Sequence, residues 1–89
     1  MAHVMITHSV ADFGTWQQAF VDALPMRQEA GEKSAQIFRD AGDPNTITGL
    51  FEWDSADRAK EYVTSARLRT AMEGAGVTSQ PQVTFLDGA

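Results

Sequence analysis

Apolar and polar residues alternate in the first ordered stretch of the chain. In HVMITH, residues 3–8, Val4 and Ile6 point one way and His3, Met5 and Thr7 the other, with β-branched types prominent, which is the pattern of a strand. The period then lengthens. In SVADFGTWQQAFVDAL, Phe13, Trp16, Phe20 and Leu24 recur at steps of three and four, along one face of a helix, and Asp12 stands where a side chain can cap its first turn. Pro25 lacks a backbone N–H and would cost about 3 kcal/mol inside a helix. The helix should therefore end or kink there, with MRQEA a further turn and Gly31 its stop.

Period two returns in KSAQIFRD, residues 33–40, where Ala35 and Ile37 oppose Gln36 and Phe38. The turn formers of AGDPN follow, and TITGLFEW, residues 46–53, reads as the second arm of a hairpin. Asp54 is then placed to cap a helix with Asp57 in its first turn and Ala59, Tyr62, Val63 and Ala66 on its inward face. Ser65 can cap a last short helix that carries Leu68 and Met72 and ends in the glycines of GAGV. PQVTFL, residues 81–86, supplies a closing strand, with Pro81 at a first position that tolerates it.

No repeat, linker or low-complexity tract interrupts this order, so residues 1–89 read as a single domain. The sequence β-α-β-β-α-β predicts an α+β, ferredoxin-like fold: a four-stranded antiparallel sheet with its helices on one face. The other face is left bare. Leu50 opposes Phe51 across its strand and Phe38 opposes Ile37, which predicts apolar residues on the bare face and a second, identical sheet to cover it.

Size points the same way. A chain of 89 residues buries only about 60–65% of the surface that its unfolded form exposes, and with no cysteine it has no disulfide to compensate. A homodimer, its two sheets enclosing a barrel-like interior, is the expected supplement. The net charge of −5 arises from 12 acidic residues against 7 Lys and Arg, the latter scattered, which argues against nucleic acid as a partner. No apolar run nears the roughly 20 residues of a membrane span, and MAHVMITHSV lacks the features of a signal peptide. The pattern predicts a soluble cytoplasmic protein with no membrane partner.

Trp53, at the end of the third strand, is the first candidate for chemistry, because an indole can stack on a planar aromatic ligand and donate one N–H. Strand parity puts Ile47, Gly49, Phe51 and Trp53 on one face, the helix-side core. A bulge at Gly49 would break that count and turn Trp53 toward a pocket, so core and pocket both stand. His8, where the first strand meets the first helix, can take a proton near neutral pH from a phenol, and its alternative is an ordinary strand-end histidine. Tyr62 can offer a hydroxyl to a pocket or pack in the core. Glu52 faces away from Trp53, and Gln36 and Phe38 share a face that could look into a dimer barrel.

Trp16 and Phe20 read as core. His3 and His8, five positions apart on one strand, point to opposite faces, and no metal site is predicted. No nucleophile–base set, phosphate loop or dinucleotide fingerprint is present; GEK at 31–33 lacks the rest of such a loop.

Two segments, VADFGTWQQAF and LFEWDSADRAKEYVTSARLRTAM, resemble the antibiotic biosynthesis monooxygenase-like family of dimeric α+β barrels, and the likeness extends over most of the chain. It implies a homodimer of facing sheets, with a pocket in each subunit or at the dimer centre. Its members include cofactor-free oxygenases of polycyclic phenols, heme-degrading oxygenases and small proteins without an assigned reaction. Where the cofactor-free oxygenases keep an Asn four positions before the Trp, this chain has Gly49. Where the heme-degrading ones place a His after the Trp, AKEYVTSAR has none.

The function implied is binding of a small aromatic molecule, with a cofactor-independent oxygenase of phenolic or polyketide-like substrates as its catalytic form. His8, Trp53 and Tyr62 are then the catalytic candidates, Gln36, Phe38, Phe51 and Trp53 the ligand-binding ones, and no cofactor is expected. The alternatives are a non-catalytic ligand-binding or accessory dimer and an isomerase or cyclase on the same barrel.

Overall fold

In a computed structural model, which describes residues 2–89, the chain forms β1 (Ala2–Ser9), α1 (Phe13–Asp22), α2 (Leu24–Ala30), β2 (Glu32–Arg39), β3 (Thr46–Trp53), α3 (Ala56–Val63), α4 (Ala66–Gly74) and β4 (Gln82–Asp87). Asp12 begins α1 as predicted: its carboxylate accepts from the Thr15 amide at 2.9 Å and the Thr15 hydroxyl at 3.0 Å. A cap of this kind contributes about 1 kcal/mol.

The helix halts at Ala23, and Pro25 lies in the first turn of α2, where its missing N–H has no partner to lose. That break changes which residues near it face the sheet. Leu24, expected on the inward face, is 40% exposed, and Met26, Arg27 and Ala30 turn inward instead. Ser55 rather than Asp54 caps α3, accepting from the Arg58 amide at 3.2 Å, while the Asp54 carboxylate pairs with the Arg58 guanidinium. Ser65 caps α4 as expected, and Ala66, its first residue, is exposed rather than part of the α3 inward face.

The strands form one antiparallel sheet in the order β2-β3-β1-β4, an α+β ferredoxin-like arrangement with the helices packed on one face. On that face Val4, Ile6, Ile47, Phe51 and Trp53 are buried in two apolar clusters that share Phe20 and Ile37 at their borders. Fully burying one side chain of this size stabilises by about 1.5–3 kcal/mol, so this face supplies most of the driving force.

The opposite face departs from expectation. Cross-strand rows run Phe38, Thr48, Thr7, Gln82; then Gln36, Leu50, Met5, Thr84; then Ser34, Glu52, His3, Leu86. Phe38, Leu50, Met5 and Leu86 are apolar and the other eight positions are polar or charged, so the open face is mixed.

Pairing of β3 with β1 is regular through Gly49, which rules out the bulge considered there. The irregularity lies in β2 instead, between Glu32 and Ser34. Lys33 is the extra residue, and skipping it puts Glu32 opposite Trp53 on the helix side. Gly49 is needed for another reason. A Cβ at this position would meet the Phe51 ring at 2.6 Å and Ile37 Cδ1 at 3.3 Å, so the ring of Phe51 occupies the space that a side chain at 49 would fill. Gly31, with φ 121°, turns the chain from α2 into β2 in a conformation that L side chains rarely adopt.

Candidate functional site

The helix side of the sheet does not pack solid. A cavity of about 80 Å³ lies between it and the helices, with walls drawn from both apolar clusters. Its aromatic lining is continuous: His8 meets Trp16 edge-on at 5.8 Å, Trp16 stacks on Phe20 at 4.9 Å, and Phe20 approaches Phe51 at 6.1 Å. Trp53 and Tyr62 stack at 5.2 Å and line the space from β3 and α3. Such offset aromatic contacts each add about 0.5–1.5 kcal/mol beyond burial and hold the ring planes in fixed orientations.

Few polar atoms border this space. His8 is brought in by the alternation of β1, which points Val4, Ile6 and His8 toward the helices. Its side chain is 7% exposed, and its Nδ1 has no hydrogen-bond partner among the described residues. Burial pushes the pKa of His8 below 6.5, against a smaller upward pull from its own backbone. The imidazole is therefore neutral at pH 7, and in the tautomer protonated at Nε2 its unpartnered Nδ1 can accept.

Arg27 and Glu32 form a second polar feature, a buried ion pair with Nε 2.9 Å from Oε1. The Arg27 guanidinium lies 3.6 Å from the Phe20 ring centroid and also donates to the Phe20 carbonyl. Burial raises the Glu32 pKa above 4.5, and the charge and hydrogen bond of Arg27 partly oppose this. The Tyr62 hydroxyl is likewise pushed above 10.0, mainly by burial, so it remains a protonated phenol at neutral pH. The indole N–H of Trp53 is already taken: it donates to the Ala30 carbonyl at 3.1 Å.

The candidates drawn from the sequence divide between the two faces. His8, Phe51, Trp53 and Tyr62 converge on the cavity. Trp53 is at once core and wall, 2% exposed with its polar atom satisfied, so what it offers the cavity is ring surface. Gln36 and Phe38 lie on the open face, where Phe38 is 53% exposed, and they do not join the others. Glu52 is on that face too, 3.8 Å from His3.

Sequence reasoning missed Arg27 and Glu32. Counting alternation back from Ile37 assigns Glu32 to the open face with Gln36, and only the bulge at Lys33 turns it inward. Arg27, seven residues after Phe20, falls on the inward helical face by spacing, but a charged side chain gives no apolar signal there. Neither residue has a local signal in the sequence beyond the Gly31 that ends α2. Among the described residues no three His, Cys, Asp or Glu side chains converge as metal ligands, and no helix is long and apolar enough to cross a membrane.

No protein-family model and no curated protein sequence matches the chain. Solved structures do match it in shape. A protein of Bordetella bronchiseptica provisionally named an antibiotic biosynthesis monooxygenase superposes with a TM-score of 0.81 at 17% identity, over 99% of this chain and 96% of that one. SnoaB, a cofactor-independent oxygenase from Streptomyces nogalater, gives 0.77 at 10% identity, over 99% and 92%. A protein of Caulobacter crescentus with the same provisional name as the first gives 0.75 at 20% identity, over 99% and 89%. At these identities what is shared is the backbone architecture, over essentially the whole length of each chain. The chain thus has the fold of the antibiotic biosynthesis monooxygenase-like proteins.

Proposed function

We propose that the cavity binds a small aromatic molecule bearing an acidic O–H and that His8 accepts its hydrogen bond. The observation that carries this reading is the buried, unpartnered Nδ1 of His8 in a space walled by aromatic and aliphatic side chains and by the Arg27–Glu32 pair, whose charges are turned on each other. An unsatisfied buried acceptor costs about 1–3 kcal/mol, which a phenolic O–H would recover while its ring packs among Phe20, Phe51 and Trp53. The cavity is small for this ligand. Apolar cavities of about 150 Å³ admit benzene, so a ring enters only with some outward movement of the wall.

The catalytic form of this reading is oxygenation without a cofactor, as described for SnoaB. His8 takes the O–H proton, and the electron-rich anion reacts with oxygen at a conjugated CH2. One oxygen atom becomes the carbonyl that replaces the CH2, the other leaves as water, and the substrate supplies all four electrons. The chain's own part is orientation by Phe51, Trp53 and Tyr62, proton removal at Nδ1 and exclusion of water.

Gly49 supports a second reading, non-catalytic binding. The ring of Phe51 fills the place where the cofactor-free oxygenases keep an Asn, so no amide is available there to orient oxygen or substrate. Oxygen uptake, measured with phenols and anthrone-like compounds whose binding is first established by tryptophan fluorescence, separates the two. Uptake that disappears in His8→Phe supports catalysis; binding without uptake supports the second reading; no binding by any of these compounds refutes both. In either case we pair two copies through the open face, with Met5, Leu50, Phe38 and Leu86 in contact and Gln36 and Phe38 lining the barrel between the sheets. A 9.7 kDa species persisting in light scattering at high micromolar concentration would refute that pairing.

A further inference from the structure

On the outer side of α4 a groove of about 350 Å³ runs between that helix and β4. Four apolar side chains, Ile6, Val63, Leu68 and Met72, border both this groove and the inner cavity. They form a shared wall. Two of them belong to α4, a helix with no buried residue, and one of those is an unbranched methionine whose side chain adapts readily to its neighbours. The far side of the groove is equally unconstrained: β4 is exposed along its length, and Val83, which faces the groove, is 39% exposed.

We propose that cavity and groove are two parts of one site, the cavity holding a phenolic ring against His8 and the groove holding an apolar substituent of the same molecule. The proposal rests on the reading of the cavity given above and extends it to a substrate class, phenols with a short alkyl or similar side chain. Size supports it. Sites for drug-sized ligands occupy about 300–1,000 Å³; the cavity alone falls well short, and the groove lies within that range. The lining is mixed: Val77, Pro81 and Val83 continue an apolar strip outward from Ile6, which is the course proposed for the substituent, while Arg69, Glu73, Gln80 and the hydroxyls of Thr64, Ser65 and Ser79 supply the rest. Rotation of Leu68 and Met72, the α4 half of the shared wall, is the movement that the proposal requires.

Calorimetric titration of the full chain with phenol, para-ethylphenol and para-butylphenol tests this, with Val83→Glu and Val83→Trp as variants. Val83 lines the groove and not the cavity, and its exposure makes either change compatible with folding, which circular dichroism checks. We expect each added methylene to tighten Kd by about fourfold in the wild type. Both variants should lose that dependence on chain length while binding phenol as before. Affinity independent of chain length, or a gain that survives both variants, overturns the groove assignment and leaves the cavity reading intact. If neither phenol nor its alkyl derivatives bind, the cavity reading fails and this proposal falls with it. If the Val83 variants alter sedimentation instead of chain-length dependence, the groove is a contact between copies and the proposal is wrong.

Discussion

Replacing Gly49 by alanine should destabilise the protein even though glycine is a poor strand residue. Carbon atoms pack at about 3.5–4.0 Å, and the new Cβ would lie 2.6 Å from two atoms of the Phe51 ring, roughly 1 Å too close. Phe51 is 8% exposed and faces Phe20 at 6.1 Å, so its ring can yield only toward the cavity it lines, at the expense of its present contacts. Overpacking of this kind costs about 1–3 kcal/mol, against a gain of about 0.5–1 kcal/mol from removing a strand glycine. The expected net loss is about 1–2 kcal/mol. Phe51→Ala alone should cost about 3–5 kcal/mol, but it also removes the atoms that clash. The glycine gain persists in the double variant and only the overpacking is relieved, so the double variant should be more stable than the sum of the single effects by about 1–3 kcal/mol. Urea unfolding at fixed protein concentration measures all four corners of this cycle. A neutral or stabilising Gly49→Ala, or additivity within about 0.5 kcal/mol, would refute the claim that the ring of Phe51 occupies the space beside Gly49.

His8 makes stability depend on pH. Its folded pKa lies below 6.5, so as pH falls the unfolded chain takes up the proton first; its stabilising contribution is complete above that value and is lost as pH falls through the folded pKa. Glu32 acts in the opposite sense, its raised pKa adding stability as pH falls toward 4.5, so the contribution of His8 is read from the difference between the wild type and His8→Leu. In denaturant titrations that difference should favour the variant more at about pH 5.5 than at about pH 7.5, and a pH-independent difference would contradict the burial of the imidazole. For the Arg27–Glu32 pair, Arg27→Met should cost about 3–5 kcal/mol by leaving Glu32 buried without its partner, whereas Arg27→Met combined with Glu32→Met should recover most of that loss. Thermal unfolding reads both, and a double variant as unstable as the single one would show that the carboxylate does not need the guanidinium.

Local patterns carried the element order, the Asp12 and Ser65 caps and the inward set Val4, Ile6, Phe51, Trp53 and Tyr62, because side-chain periodicity and caps depend on residues within one turn or one strand. The errors cluster at breaks in periodicity. Leu24 leaves the predicted inward face because the helix halts at Ala23, and Glu32, which lies before the predicted strand, turns inward because the bulge at Lys33 inverts parity. The bulge is a shift of one residue, which is enough to move a strand side chain to the other face of the sheet.

The site followed the same division. Alternation along β1 and β3 is enough to put His8, Phe51 and Trp53 on one face of the sheet and Gln36 and Phe38 on faces of β2 that can be counted from its neighbours. Whether His8 finds a partner, whether the Trp53 indole is free or bonded to Ala30, and whether the space at Gly49 is empty or filled by the Phe51 ring depend on atoms from elements distant in the chain. Those were decided only by the tertiary structure, because close packing and hydrogen-bond satisfaction are set by the distances between elements and not by the order of residues within them.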